Sequence, residues 1–157
     1  MESIENLVLA HGEIHGVHDL IVHDYGPGRQ MISLHAEVDG KDDVFHLHDV
    51  IDNIESELFK QLGVHATIHM DPIETDNETV NAMREKIAEL VKTIDESITI
   101  HDFRMVPGET HTNVIFDAVV PFAFRMKDAE VAVAIRELVQ KTYPNHFAVI
   151  MIDHAYV

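Results

Sequence analysis

Apolar positions switch between helical spacing and strict alternation along this chain, and the switches come in the same order twice. Residues about 3 to 11 put Ile4, Leu7 and Val8 on one helical stripe. Two alternating stretches follow, joined through the turn residues Gly26-Pro27-Gly28. A second helix is predicted after Asp42 or Asp43 as N-cap, with Leu47, Ile51, Ile54 and Leu58 inward and a stop near Gly63. The stretch "HATIHMDP" at 65 to 72 then closes the series as a third strand. The second series opens at a capping box, Thr75-x-x-Glu78, ahead of Val80, Met83, Ile87, Leu90, Val91 and Ile94. Its strands turn at Pro107-Gly108, and its second helix starts near Asp128 with Val131, Ile135, Leu138 and Val139 inward.

Residue identities echo this order. "VHDLIVHDYGPGRQMISLHAEV" at 17 to 38 parallels "IHDFRMVPGETHTNVIFDAVV" at 100 to 120, and "ATIHMDP" at 66 to 72 parallels "AVIMIDH" at 148 to 154. The chain therefore reads as two divergent copies of one αββαβ unit, residues 1–74 and 75–157. Helices that cover a single sheet face make each copy an α+β, open-faced two-layer sandwich of ferredoxin-like kind.

Alternation assigns side chains to the two faces. Ile32, Leu34, Ala36 and Val38 must meet the helices, which leaves Ser33, His35 and Glu37 on the open face. Likewise Ala66, Ile68 and Met70 turn inward, opposite His65, Thr67, His69 and Asp71. His18 starts the first strand in "VHDL", at the end from which it can approach Asp71. His48 lies on the flank of the second helix, on the same side as Asp52, which is read either as a partner that orients it or as a solvated residue of an acidic helix.

Composition sharpens that picture. Of 13 histidines, nine precede residue 73. Cysteine is absent, so disulfides, thiolate zinc sites and thiol nucleophiles are excluded. Lys and Arg number 11 against 28 Asp and Glu, a formal charge of -17 that repels nucleic acid and anionic lipid and favours cations. No apolar run reaches the roughly 18 residues of a membrane span, and the start "MESIENLVLAHGE" lacks an export signal, so a soluble domain is expected.

Imidazole nitrogens with one carboxylate suit zinc, and Co(II), Ni(II), Fe(II) and Mn(II) fit the same donors. In the second copy the counterparts of His35, His69 and Asp71 are Asp117, Met151 and Asp153. With Val114, Phe116, Phe147 and Val149 nearby, that face is expected to have exchanged a metal site for packing at an interface. His65 and His46 are candidate outer ligands, while His11, His15 and His23 are read as solvated side chains. Asp19 and Asp102 recur in the "HD" pair of both copies, which points to a structural role. Gly26-Pro27-Gly28 lacks phosphate-loop spacing, and neither HExxH nor GxSxG occurs, so the chain is read as non-catalytic. The competing readings are a stand-alone metal-dependent hydrolase and a structural dimerisation module that no longer binds metal.

In the first copy "VHDLIVHDYGPGR", "ISLHAEV", "LHDVIDNIE" and "IHMDP" together resemble the cytoplasmic C-terminal domain of cation diffusion facilitator transporters, which export divalent metal ions such as zinc. The second copy resembles it more loosely. The resemblance implies a metallochaperone-like unit that forms a homodimer and binds regulatory metal ions near the dimer interface. By motif, the implied ligands are His18, His35, His69 and Asp71, with His48 reaching a metal of the opposing protomer and Asp71 able to bridge two ions. It further implies, as partner, a membrane domain of the same transporter, with this part facing the cytoplasm. The chain departs from the family in lacking its membrane helices and in carrying two units instead of one. An excised cytosolic region or a stand-alone relative is therefore expected.

Overall fold

The computed structural model describes residues 1–155, which divide into two compact units, Met1–Ile73 and a second that starts at Glu74. The first contains α1 (Glu2–Leu9), β1 (Gly16–Asp24), β2 (Gln30–Asp39), α2 (Val44–Leu62) and β3 (His65–Ile73). The second contains α3 (Asn77–Lys92), β4 (Thr99–Pro107), β5 (Thr112–Pro121), α4 (Asp128–Thr142) and β6 (His146–Ala155). Each unit is thus α+β, with the αββαβ order and ferredoxin-like arrangement expected. Each sheet has three strands, in the orders β1-β2-β3 and β4-β5-β6. The middle strand pairs antiparallel with the strand before it and parallel with the strand after it. The parallel pairing is what the intervening helix permits, since a crossover must carry the chain back before the third strand can start.

The inward stripes behave as the spacing predicts. Ile4 and Val8 of α1, and Leu47, Val50, Ile51, Ile54 and Leu58 of α2, share one core with Ile32, Leu34, Ala36, Val38 and Ile68. In the second unit Ile87 and Val91 of α3 and Val131, Ile135 and Val139 of α4 pack with Val114, Phe116, Ala118 and Val120. Val114 and Phe116, expected near the open face, are therefore core residues. They sit one residue out of phase with Asp117, and alternation sends neighbours to opposite faces.

Local ends are set by caps. Asp43 accepts the backbone N–H of His46 at 2.9 Å and starts α2. Gly63 ends it with φ 69°, a left-handed conformation that is cheap only without a Cβ. The Thr75–Glu78 capping box does not form: the N-cap of α3 is Asp76. The Asp76 N–H donates instead to the Glu74 carboxylate at 2.8 Å, and Glu74 itself is held by its N–H to the Met105 carbonyl at 2.8 Å. α1 stops at Leu9, short of the expected residue 11.

The first strand of each sheet, β1 and β4, carries the same irregularity. Asp19 (φ 51°) and Asp102 (φ 50°) are the non-glycine residues with positive φ among those described. The ladder slips beside each, between His18 and Ile21 and between His101 and Arg104. This is a β-bulge: one extra residue is absorbed and the alternation changes phase. In β1 it lets His18, opposite His35, and Ile21, opposite Ser33, point to the same face although they are three residues apart.

An aspartate tolerates the left-handed region better than most residues, whereas a Cβ there ordinarily costs about 1–2 kcal/mol. Asp102→Gly is expected to leave the stability of the second unit nearly unchanged, and Asp102→Val to lower it by about that amount, as measured by urea denaturation. Equal stability of the two variants would show that the bulge is not held in this conformation.

Candidate metal centre

The register brings the first-unit histidines into a row across the sheet. His18 of β1 pairs with His35 of β2, and His35 with His69 of β3. Neighbouring rings lie 4.8 Å and 4.6 Å apart between centroids. One row along the strands, Gly16, Glu37 and Asp71 are aligned in the same way. Both rows face away from the helices, because Val17, Ala36 and Met70 between them pack against the core.

Asp71 collects the three imidazoles. Its Oδ2 lies 2.9 Å from Nδ1 of His35 and 3.1 Å from Nε2 of His18, and its Oδ1 lies 3.3 Å from Nε2 of His69. The Asp71 side chain is only 7% exposed and that of His18 9%, while those of His35 and His69 are 36% and 67% exposed. The centre is thus walled at Asp71 and His18 and open to solvent at His69.

One nitrogen or oxygen from each of His18, His35 and Asp71 lies within 4.8 Å of the others, the one such cluster of three among the described residues. The donor set fits a borderline divalent metal: two imidazoles and a carboxylate converge from three different strands. The other nitrogen of His18, Nδ1, is buried without a hydrogen-bond partner and sits 3.4 Å from an Asp19 oxygen, a slight movement from the second-shell bond that ligating imidazoles usually make.

Ionisation follows from this packing. Burial by itself pulls His18 down, but the bond to Asp71 and the charges of Asp19, Asp71 and Glu37 outweigh it, so its pKa is raised above 6.5. Burial pushes Asp71 up, and the bonds from His18 and His35 overcome that and leave it below 3.8.

Other sequence candidates lie elsewhere. His48 is exposed on α2, in the helical layer behind the sheet, and does not join the cluster. His46 faces Glu13 at 3.4 Å, and His65 packs its ring on Phe59 at 4.6 Å, so neither outer-ligand candidate reaches the centre. His11, read as solvated, instead pairs with Glu57 at 2.9 Å. Glu37 was not picked out by sequence reasoning as part of the centre, yet it is fully buried beside it, 4.0 Å from Nε2 of His18. Gly16, its partner on β1, was the available signal.

The equivalent rows of the second unit are His101–Asp117–Met151 and, one row along, Val119–Asp153. Burial, then the charges of Asp153 and Asp102, raise the pKa of Asp117 above 3.8 against the opposing pull of Arg104. On the same face Phe147 and Met151 are 42% and 59% exposed.

Residues 1–73 match the family model described as the cytoplasmic domain of cation efflux proteins. The match ends where the first compact unit ends. No curated protein matches the chain. Among the described residues no helix is long and apolar enough to cross a membrane.

Without metal, the His18–Asp71 pair makes stability depend on pH in a defined direction. The raised His18 contributes stability that is full below 6.5 and is lost as pH rises through its folded value. The lowered Asp71 contributes stability that is present above 3.8 and is lost as pH falls through its folded value. In chelator, Asp71→Asn should therefore weaken hydrogen-exchange protection of β2 and β3 more at about pH 5 than at about pH 8.5. A loss independent of pH over that range would rule the pair out as the cause.

Proposed function

We propose that residues 1–73 are a cytosolic regulatory metal-binding and dimerisation domain of a cation diffusion facilitator transporter that exports divalent cations such as zinc. The observation that carries the reading is Asp71 with His18, His35 and His69 around it, each imidazole from a position that the family resemblance implies as a ligand. The family match over the same residues supports it. His18, His35 and Asp71 would hold the ion. Asp71 divides its oxygens, Oδ2 toward His18 and His35 and Oδ1 toward His69, which favours a bridging carboxylate and two ions.

A bound dication supplies positive charge to an acidic surface. Of the 11 basic residues only Arg29, Lys41 and Lys60 precede residue 74, against half of the 28 acidic ones. Neutralising that excess lets two such faces approach, and free energy of binding to the paired arrangement shifts the population toward it. His48, exposed on α2, is available to an ion held by another copy. The change in pairing would be relayed to the membrane domain of the same transporter. The second unit, with Asp117, Met151 and Asp153 in place of His35, His69 and Asp71, is read as a degenerate copy that does not hold the ion.

Calorimetric titration with Zn(II) tests this directly. Wild-type protein is expected to bind, and the His35→Ala, Asp71→Ala double variant to show no comparable isotherm; equal binding by both sinks the site. Ligating imidazoles must be neutral, and His18 holds its proton above the ordinary 6.5. Zinc affinity is therefore expected to fall steadily as the pH is lowered from about 7.5 to about 5.5. Constant affinity over that interval speaks against histidine ligation.

A further inference from the structure

The open face of the first unit continues past the imidazole row, and its far end carries donors that the metal centre does not use. Beyond His18–His35–His69 comes Ile21–Ser33–Thr67, and beyond that His23–Met31–His65, each triplet aligned across β1, β2 and β3. Met31 shares its parity with Ser33 and His35, while Ile32 and Leu34 between them are buried. It stands four residues before His35 on β2, about 13 Å at the rise of a strand, so one ion does not serve both rows.

Met31 is 48% exposed, an apolar side chain left in solvent between two histidines. It lines a cavity of about 410 Å³ together with His65, Tyr25, Arg29 and Gln30. The flanking rings rest on aromatic neighbours: His23 stacks on Tyr25 at 6.4 Å between centroids, and His65 lies 4.6 Å from Phe59. Among the described residues no carboxylate pairs with either imidazole, in contrast to His11, His18 and His35. The equivalent row of the second unit is Val106–Asn113–Phe147, so the strand pairing does not itself require these donors.

We propose that His23, Met31 and His65 form a second metal site, one for a soft monovalent cation of the Cu(I) and Ag(I) kind. Thioether sulfur is a soft donor that selects such ions over the harder dications, and imidazole serves both. With Met31 in the middle strand and neighbouring strands about 4.8 Å apart, one imidazole stands on each side of the sulfur, and turning each ring off its aromatic rest brings the three donors toward one ion. Arg29 in the same cavity adds to the discrimination, because its permanent charge repels a dication twice as strongly as a monocation at equal distance.

Silver nitrate in chloride-free buffer, added to the full chain with 13C-labelled methionine methyl groups, is the probe, and the methyl shifts are the readout. Met31→Leu, which keeps the volume and removes the sulfur, assigns the Met31 resonance among the 7 methionines. The Met31 methyl is expected to shift at the first additions of Ag(I), ahead of Met151, which is more exposed at 59% but has Asp117 as its strand partner. Replacing both imidazoles, His23→Gln with His65→Gln, is expected to abolish that priority. Zn(II) is expected to leave the Met31 methyl in place.

An unmoved Met31 methyl, or a Met151 response that comes before or with it, overturns the site, since exposure of a thioether is then all that Ag(I) reads. Priority of Met31 that survives loss of both imidazoles overturns the ligand set, and a Met31 shift as large with Zn(II) as with Ag(I) overturns the assignment to a soft ion. Failure of Zn(II) to bind anywhere would sink the centre around Asp71 without touching the Ag(I) result, so the two readings fail separately.

Discussion

The strict alternation of β2 is the constraint on which the first unit depends. Ile32, Leu34, Ala36 and Val38 are all 2% exposed or less and hold α1 and α2 to the sheet, while the residues between them are committed to the other face. A slip of one residue would drive His35 and Glu37 into the core and turn four core side chains out. The same hydrophobic burial that stabilises the sandwich therefore also aims the chemistry. Asp71 completes the arrangement: paired in register with Glu37, it reaches back to the imidazole row and ties all three strands together on the open face.

Much of this was legible in residue order because it follows from period alone. The helical stripes, the inward faces of β2 and β3, and the common direction of His35, His69 and Asp71 need only the 2.0 and 3.6 repeats. Features that depend on how strands meet were less legible. The approach of His18 to Asp71 rests on the β1–β2 register and on a bulge whose only local mark is a repeated "HD" pair. Glu37 has the right parity for the open face, but nothing in parity says that Asp71, His18 and a side-chain-free Gly16 would close over it. The Thr75–Glu78 pattern matched a cap in sequence, but the N-cap of α3 is Asp76, one residue later, and Glu74 just before it bonds to Met105 of β4, a contact that residue order does not reveal.

The second unit separates what the fold needs from what the centre needs. It keeps the strand order, the bulge with a left-handed aspartate, and the core stripe Val114, Phe116, Ala118 and Val120. Side chains on its open face differ without consequence for those elements. Such independence is expected where one sheet face supplies stability and the other is left for function, since substitutions on the solvent side seldom disturb the packing behind them.

The contrast also explains why an acidic pocket persists in the first unit. In the second unit burial, with the charges of Asp153 and Asp102, makes Asp117 hold its proton more tightly, and that face is rimmed by exposed Phe147 and Met151. Asp71 behaves in the opposite way because His18 and His35 donate to it. The imidazoles therefore do two jobs that compete. Protonated, they stabilise the buried carboxylate of the metal-free unit; neutral, they offer lone pairs to a cation. A cation that took the place of their protons would meet the same buried carboxylate, so one packing arrangement serves both the protonated imidazoles and the proposed metal centre.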